Sequence, residues 1–119
     1  MEGTWFSGLA DELARCFTDA EACAETCERL LDTLAGADDD VQRRVVDAVV
    51  APAAIARVLI DLIDHPPQLV LAACRLFRDS SGHAVRELEL LGERVDSTDA
   101  LAALRRAEAS CAGVLDAAG

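Results

Sequence analysis

Hydrophobic residues recur along this chain in alternating steps of three and four, a spacing that keeps one face of an α-helix apolar. Three stretches rich in turn-forming residues interrupt the pattern: AGADDD at 35–40, DHPP at 64–67 and GERVDSTD at 92–99. The segments between them predict four helices, at about 5–35, 40–63, 67–91 and 98–117. Because short connections favour antiparallel neighbours, we expect an all-α, antiparallel up-down-up-down four-helix bundle.

Residues suited to helix ends stand at the predicted boundaries. The aspartates at 38–40 and the Ser-Thr pair at 97–98 are N-cap candidates, and Pro67 suits a first helical turn. Gly36 and Gly92 stand where the first and third helices are expected to stop.

Each predicted helix carries one apolar stripe that is expected to face the core. The second stripe contains Pro52, which is expected to bend the helix, and it ends at Ile63. Alanine occupies several stripe positions and fills little volume. We therefore expect either unusually close helix contacts or a cavity beside Phe77, Ser81 and Glu108.

Composition supports a single helical domain over residues 1–119. The chain has 23 Ala but only three Phe, one Trp and no Tyr, so helix formers outnumber strand formers. The net charge of −11 argues against nucleic acid, which needs a basic face, and against anionic membrane surfaces. The N-terminal residues lack a signal-peptide pattern, and no apolar run is long enough to span a membrane. We therefore expect a cytoplasmic protein whose thiols stay reduced.

Three of the five cysteines lie in the segment CFTDAEACAETC, residues 16–27. The other two are Cys74 and Cys111, and all five fall on predicted core faces. Buried cysteine often serves as a small apolar residue, so this placement alone does not define a site. Core packing alone does not explain why three thiols share one helix in which alanine is otherwise abundant.

Disulfide formation and redox catalysis fit the spacing poorly. Cys23 and Cys27 stand one helical turn apart, where Cβ atoms are about 5–6 Å apart. A disulfide needs a Cβ separation of about 3.5–4.5 Å. The sequence has no CxxC motif, and none of its cysteines opens a helix, so an activated thiolate is not indicated. A Cys/His pairing through His65, in the loop after the second helix, stays open.

Metal binding uses the spacing better. Thiols at positions i and i+4 point the same way, and soft thiolates select Cu(I), Zn(II) or iron–sulfur clusters. Cu(I) suits helix-borne thiols best because two or three thiolates satisfy it, whereas structural zinc favours loop-borne pairs and four ligands. We expect Cys23 and Cys27 to hold one ion, and Cys16 to act with Cys74 or Cys111 at the next level. The expected capacity is about one to three Cu(I) per chain.

The segment at 16–27 also suggests a family. Its form, CxxxAxxCxxxC, resembles the CxxxCxxCxxxC first helix of the cysteine-rich four-helix-bundle copper-binding and copper storage proteins, with Ala20 in place of the second thiol. The same spacing recurs with fewer thiols as Cys74, Phe77 and Ser81, and as Leu104, Ala107 and Cys111. The resemblance implies thiols that line the bundle core and bind many Cu(I) ions. With five thiols and none in the second helix, this chain is expected to be a thiol-poor member of low capacity.

A second hypothesis is that the bundle is an enzyme or a small-ligand binder. Its core pocket would lie near Glu108, Ser81, Phe77 and His65. A core-facing Glu is unusual and could act as a general base or a metal ligand. Alternatively, a slight helix rotation would send Glu108 to the rim and Ala107 inside. The sequence identifies no substrate, and a non-enzymatic role is favoured. A role as a scaffold or a homo-oligomer stays open.

Overall fold

The protein is a four-helix bundle, as its periodicity predicts. In the computed structural model, residues 2–36 and 38–119 are described, with side chains described from residue 8 onward apart from position 37. The helices are α1 (Glu2–Thr33), α2 (Asp40–Asp61), α3 (Pro67–Leu91) and α4 (Thr98–Ala118), and a 3₁₀ turn at Gly92–Arg94 follows α3. Across these described ranges there is no β-strand.

Each helix packs against two neighbours, in the cyclic order α1, α2, α3, α4. Contacts between α3 and α4 proceed in opposite sequence directions: Cys74 meets Cys111, Ser81 meets Glu108, and Glu89 meets Arg105. This order indicates that α3 and α4 are antiparallel.

The other helix pairs follow the same rule. Cys16 of α1 contacts Cys111 of α4, and the later residue Asp19 contacts the earlier residue Ser110. These two helices therefore also run in opposite directions. The six residues between α1 and α2, and the five between α2 and α3, are too few for a crossover connection. The diagonal helices α1 and α3 therefore run in the same direction.

Local signals fix most of the helix ends. The carboxylate of Asp39 accepts hydrogen bonds from the backbone N–H groups of Val41 and Gln42, and so caps the first turn of α2. Pro67 occupies the first turn of α3, where a missing N–H costs nothing. Gly36 and Gly92 have φ angles of +76° and +57°, a conformation that favours glycine where a helix stops.

Small side chains fill much of the core. Ala20, Ala56, Ala84 and Ala107 are at most 1% exposed, so the helices approach closely at these positions. Pro52 lies buried within α2. The expectation for Ile63 is wrong: it is 58% exposed, because α2 ends at Asp61 and Ile63 lies in the turn that follows. Among the described residues, no helix combines the length and apolar character needed to cross a membrane.

Candidate metal centre

Three thiols from three helices meet in the core. The Sγ atom of Cys16 lies 3.7 Å from that of Cys111 and 3.9 Å from that of Cys74. All three Sγ atoms lie within 4.8 Å of one another. We call Cys16, Cys74 and Cys111 the trithiol cluster.

The bundle register produces this cluster. Cys74 lies seven residues after Pro67, so it stands about 10 Å along the axis from the start of α3. The antiparallel α4 and the parallel α1 bring Cys111 and Cys16 to the same level, and each cysteine lies on the buried face of its helix. The meeting of the three thiols therefore depends on how three separate helices are aligned along the bundle axis.

The three thiols are reduced and isolated from solvent. None of them forms a disulfide, and each is at most 1% exposed. Three ligands held about 2.3 Å from a central ion stand about 4.0 Å apart in a planar arrangement and about 3.8 Å apart at three corners of a tetrahedron. The observed separations of 3.7 and 3.9 Å fit an ion at the centre with little rearrangement.

Hydrogen bonding makes the three thiols unequal acids. The pKa of Cys74 is lowered because Cys111 and Cys16 donate hydrogen bonds that favour its thiolate, and the charge of Arg75 acts in the same direction. The pKa of Cys111 is raised because it donates to Cys16 and Cys74. Cys74 is therefore the first of the three to lose its proton.

Cys16 is influenced by opposing contacts. The hydrogen bond from Cys111 lowers its pKa, but donation to Cys74, burial, and the negative charges of Cys74 and Asp19 raise the pKa to about 12. These contacts together oppose the ionisation of Cys16.

Polar groups flank the cluster where α1 meets α4. The Ser110 hydroxyl, next to Cys111 in sequence, donates a hydrogen bond to the carboxylate of Asp19. Glu12, four residues before Cys16, lies over Gly113: a Cβ atom added there would be 2.5 Å from its Oε2 atom. Both carboxylates are half-buried.

The remaining two thiols form a second, simpler group on α1. The Sγ atoms of Cys23 and Cys27 lie 3.9 Å apart, and both residues are fully buried. Cys23 donates a hydrogen bond to Cys27, which raises the pKa of Cys23 and lowers that of Cys27. We call these residues the dithiol pair. Seven residues separate Cys16 from Cys23, about 10 Å along α1.

The structure groups the thiols differently from the sequence expectation in one respect. Cys16 was expected to act with Cys74 or Cys111, whereas it lies beside both. The reason is that α3 and α4 reach the same level of the core as Cys16. His65 is exposed in the α2–α3 turn and is not a member of the cluster.

The expected core pocket is replaced by a surface groove. Phe77 and Ser81 are fully buried, and the Ser81 hydroxyl lies 3.3 Å from Oε2 of Glu108. Ala107 faces the interior and Glu108 is half-buried at the rim, which agrees with the rotated-helix alternative. The groove on which Glu108 lies has a volume of about 610 Å³ and is lined by Arg75, Arg78, Asp79, Gly82, Arg86 and Glu108.

Sequence reasoning missed several residues beside the trithiol cluster. Asp19 and Ser110 belong to no motif. The sequence does not show that Glu12 lies against Gly113. The available signal was positional: Glu12 and Asp19 stand at i−4 and i+3 from Cys16.

Comparison of the chain with protein-family models, with curated proteins and with solved structures gave no match.

Proposed function

We propose that this protein binds Cu(I) through core thiolates, with the trithiol cluster as its principal site. The observation that supports this is the convergence of three reduced, buried thiols from three helices at separations that suit a single ion. Inert core packing requires burial but does not require three sulfur atoms to meet.

The donor set favours Cu(I) over zinc. Thiolates are soft ligands, and three of them satisfy Cu(I), whereas structural zinc takes four ligands. In the part of the chain that the structure describes, the group at this site contains three cysteines and no histidine or carboxylate. Zn(II) is therefore the weaker alternative.

The dithiol pair is a secondary site in this proposal. Two thiolates suffice for Cu(I), but with the zinc–sulfur length of about 2.3 Å as a guide, a linear arrangement needs Sγ atoms about 4.6 Å apart. The separation of 3.9 Å must therefore widen by a change of side-chain rotamer. The whole chain then holds one ion tightly and a second more weakly.

The resemblance to copper-binding bundles is part of the same proposal. The chain would be a thiol-poor relative in which alanine and other residues replace most of the cysteines, so its capacity is one to a few ions. A reducing compartment such as the cytoplasm is implied, because the free thiols must not oxidise.

Competition for Cu(I) against a chromogenic chelator under anaerobic conditions tests the proposal. The wild-type chain should withdraw between one and three equivalents, and the Cys16→Ala/Cys74→Ala/Cys111→Ala variant should lose the tightest one. The matched control is Cys23→Ala/Cys27→Ala, which should keep it. Failure of the wild-type chain to compete, or equal competition after all five thiols become Ala, would show that the cysteines only pack the core.

The surface groove favours a second candidate function, the binding of a small anionic ligand. Arg75, Arg78 and Arg86 line the groove and, among the described residues, form no ion pair, although the chain is strongly acidic. Calorimetric titration with citrate and with phosphate tests this candidate. Arg78→Gln should abolish binding, and Arg43→Gln, on α2, is the matched control. Absence of heat with both anions removes the candidate.

A further inference from the structure

The trithiol cluster needs a route from solvent, because its three cysteines are at most 1% exposed. The α1–α4 interface beside it carries two half-buried carboxylates, Glu12 and Asp19. They stand one turn before and one turn after Cys16, within about 6 Å of it along the helix axis. We call them the access carboxylates.

Gly113 of α4 has no side chain, and the Glu12 carboxylate lies over it. A Cβ atom at Gly113 would lie 2.5 Å from Oε2 of Glu12 and 3.4 Å from its carboxyl carbon. Glycine at this position leaves room for the Glu12 carboxylate against α4, and a larger residue would turn this flexible side chain away. Gly113 lies two residues after Cys111, so the carboxylate reaches the interface just beyond the cluster.

Asp19 is fixed on the opposite side of the cluster. It accepts the hydrogen bond from Ser110, which is 5% exposed and directly precedes Cys111. Ser110 is the neighbour of Cys111 along α4, so this hydrogen bond holds the Asp19 carboxylate at the α1–α4 interface beside the cluster.

We propose that Glu12 and Asp19 form a cation passage that carries the metal ion between solvent and the trithiol cluster. This inference rests on the proposed function. A cation that moves into a region of low dielectric constant loses hydration, and carboxylates along its path offset part of that cost. The passage lowers the barrier for loading and for release, and it has little effect on the equilibrium affinity.

Arg15 modulates the passage. Its guanidinium lies 3.3 Å from Oε2 of Glu12, and its side chain is 62% exposed. It partly cancels the negative charge that an incoming cation encounters. Removal of Arg15 should therefore speed loading, whereas neutralisation of either access carboxylate should slow it.

Stopped-flow loading of the reduced chain with Cu(I), supplied as its cationic acetonitrile complex, tests the passage. Glu12→Gln and Asp19→Asn should each slow loading and release by about threefold to tenfold. The dissociation constant should change less than either rate. Gly113→Ala, which displaces the Glu12 carboxylate, should reproduce the effect of Glu12→Gln.

Two further variants separate this role from a structural one. Arg15→Gln should load faster than the wild type, a change that loss of packing does not produce. Glu25→Gln removes the same charge from α1 near Arg57, away from the α1–α4 interface, and should load at the wild-type rate. The inference is overturned if Glu12→Gln, Asp19→Asn and Glu25→Gln all load as fast as a wild-type chain that binds metal. A wild-type chain that takes up no Cu(I) overturns both this inference and the proposed function.

Discussion

The two thiol groups differ in the number of helices that build them. The dithiol pair comes from one turn of α1, so its 3.9 Å separation follows from helical geometry and two rotamers. The trithiol cluster takes one sulfur atom from each of α1, α3 and α4, so its geometry depends on the whole bundle. Three ligands of the cluster could surround an ion with little rearrangement, whereas the two of the pair would have to move apart.

Their surroundings differ as well. The trithiol cluster lies beside Asp19, Ser110 and Glu12, and Arg75 favours the thiolate of Cys74. In the dithiol pair, the hydrogen bond from Cys23 lowers the pKa of Cys27, and burial and the charge of Glu28 offset part of this effect. Similar thiols therefore differ in their acidity.

The largest expected effect is on metal affinity. Cys74→Ala should weaken the tightest Cu(I) site by at least about a hundredfold, because removal of one ligand from a three-ligand site costs several kcal/mol. Cys23→Ala should leave this affinity unchanged and should lose only the weaker ion. Chelator competition under anaerobic conditions measures both. Equal losses in the two variants would mean that the groups are not independent.

The next effect is on thermal stability. At a free metal concentration about a thousandfold above the dissociation constant, binding adds about 4 kcal/mol to the free energy of unfolding. For a chain of this length, that raises Tm by roughly 10 °C or more. Calorimetry with and without Cu(I) should show this rise for the wild type and for Cys23→Ala/Cys27→Ala. A rise of the same size in the variant without the trithiol cluster would contradict the assignment.

The pH dependence of affinity should distinguish the two groups. In the trithiol cluster the pKa values of Cys16 and Cys111 are raised and that of Cys74 is lowered, so an ion that binds must displace protons from thiols that hold them strongly. In the dithiol pair the pKa of Cys23 is raised and that of Cys27 is lowered by their shared hydrogen bond, so fewer protons must leave when an ion binds.

Protons compete with the metal, so affinity falls as pH falls. The dissociation constant should rise more steeply with falling pH at the cluster than at the pair, because the cluster contains more thiols whose pKa is raised. Competition at several pH values, on chains that retain only one group, measures the two slopes. An equal pH dependence of the two dissociation constants would contradict this difference in proton release.

The smallest expected effect lies on the α3–α4 side of the bundle. Ser81→Ala removes the 3.3 Å contact with Glu108, whose carboxylate is half-buried and can turn to water. The free energy of unfolding should fall by about 1 kcal/mol or less. Urea denaturation measures the change, and Cu(I) stoichiometry should stay the same. A change in stoichiometry would connect this polar contact to the thiol groups.

Much of the fold was predictable from local patterns. The turn-rich stretches place the start of α3 at Pro67 and its end at Leu91, as observed, because proline and a left-handed glycine mark helix ends strongly. Ile63 was misassigned, because the apolar periodicity continues past Asp61, where α2 ends and a turn begins. The N-terminal limit of α1, Glu2, was three residues earlier than expected, since no residue there signals a helix start.

The sequence by itself determined the four helices, the burial of all five thiols and the dithiol pair, because each depends on spacing within one helix. Only the tertiary structure decided that Cys16, Cys74 and Cys111 meet, and that Glu12 and Asp19 stand beside them. The physical reason is the rise of about 1.5 Å per residue along a helix. A slip of two or three residues between helices would separate the sulfur atoms by several ångströms, and core packing across the whole bundle, rather than any local pattern, sets that alignment.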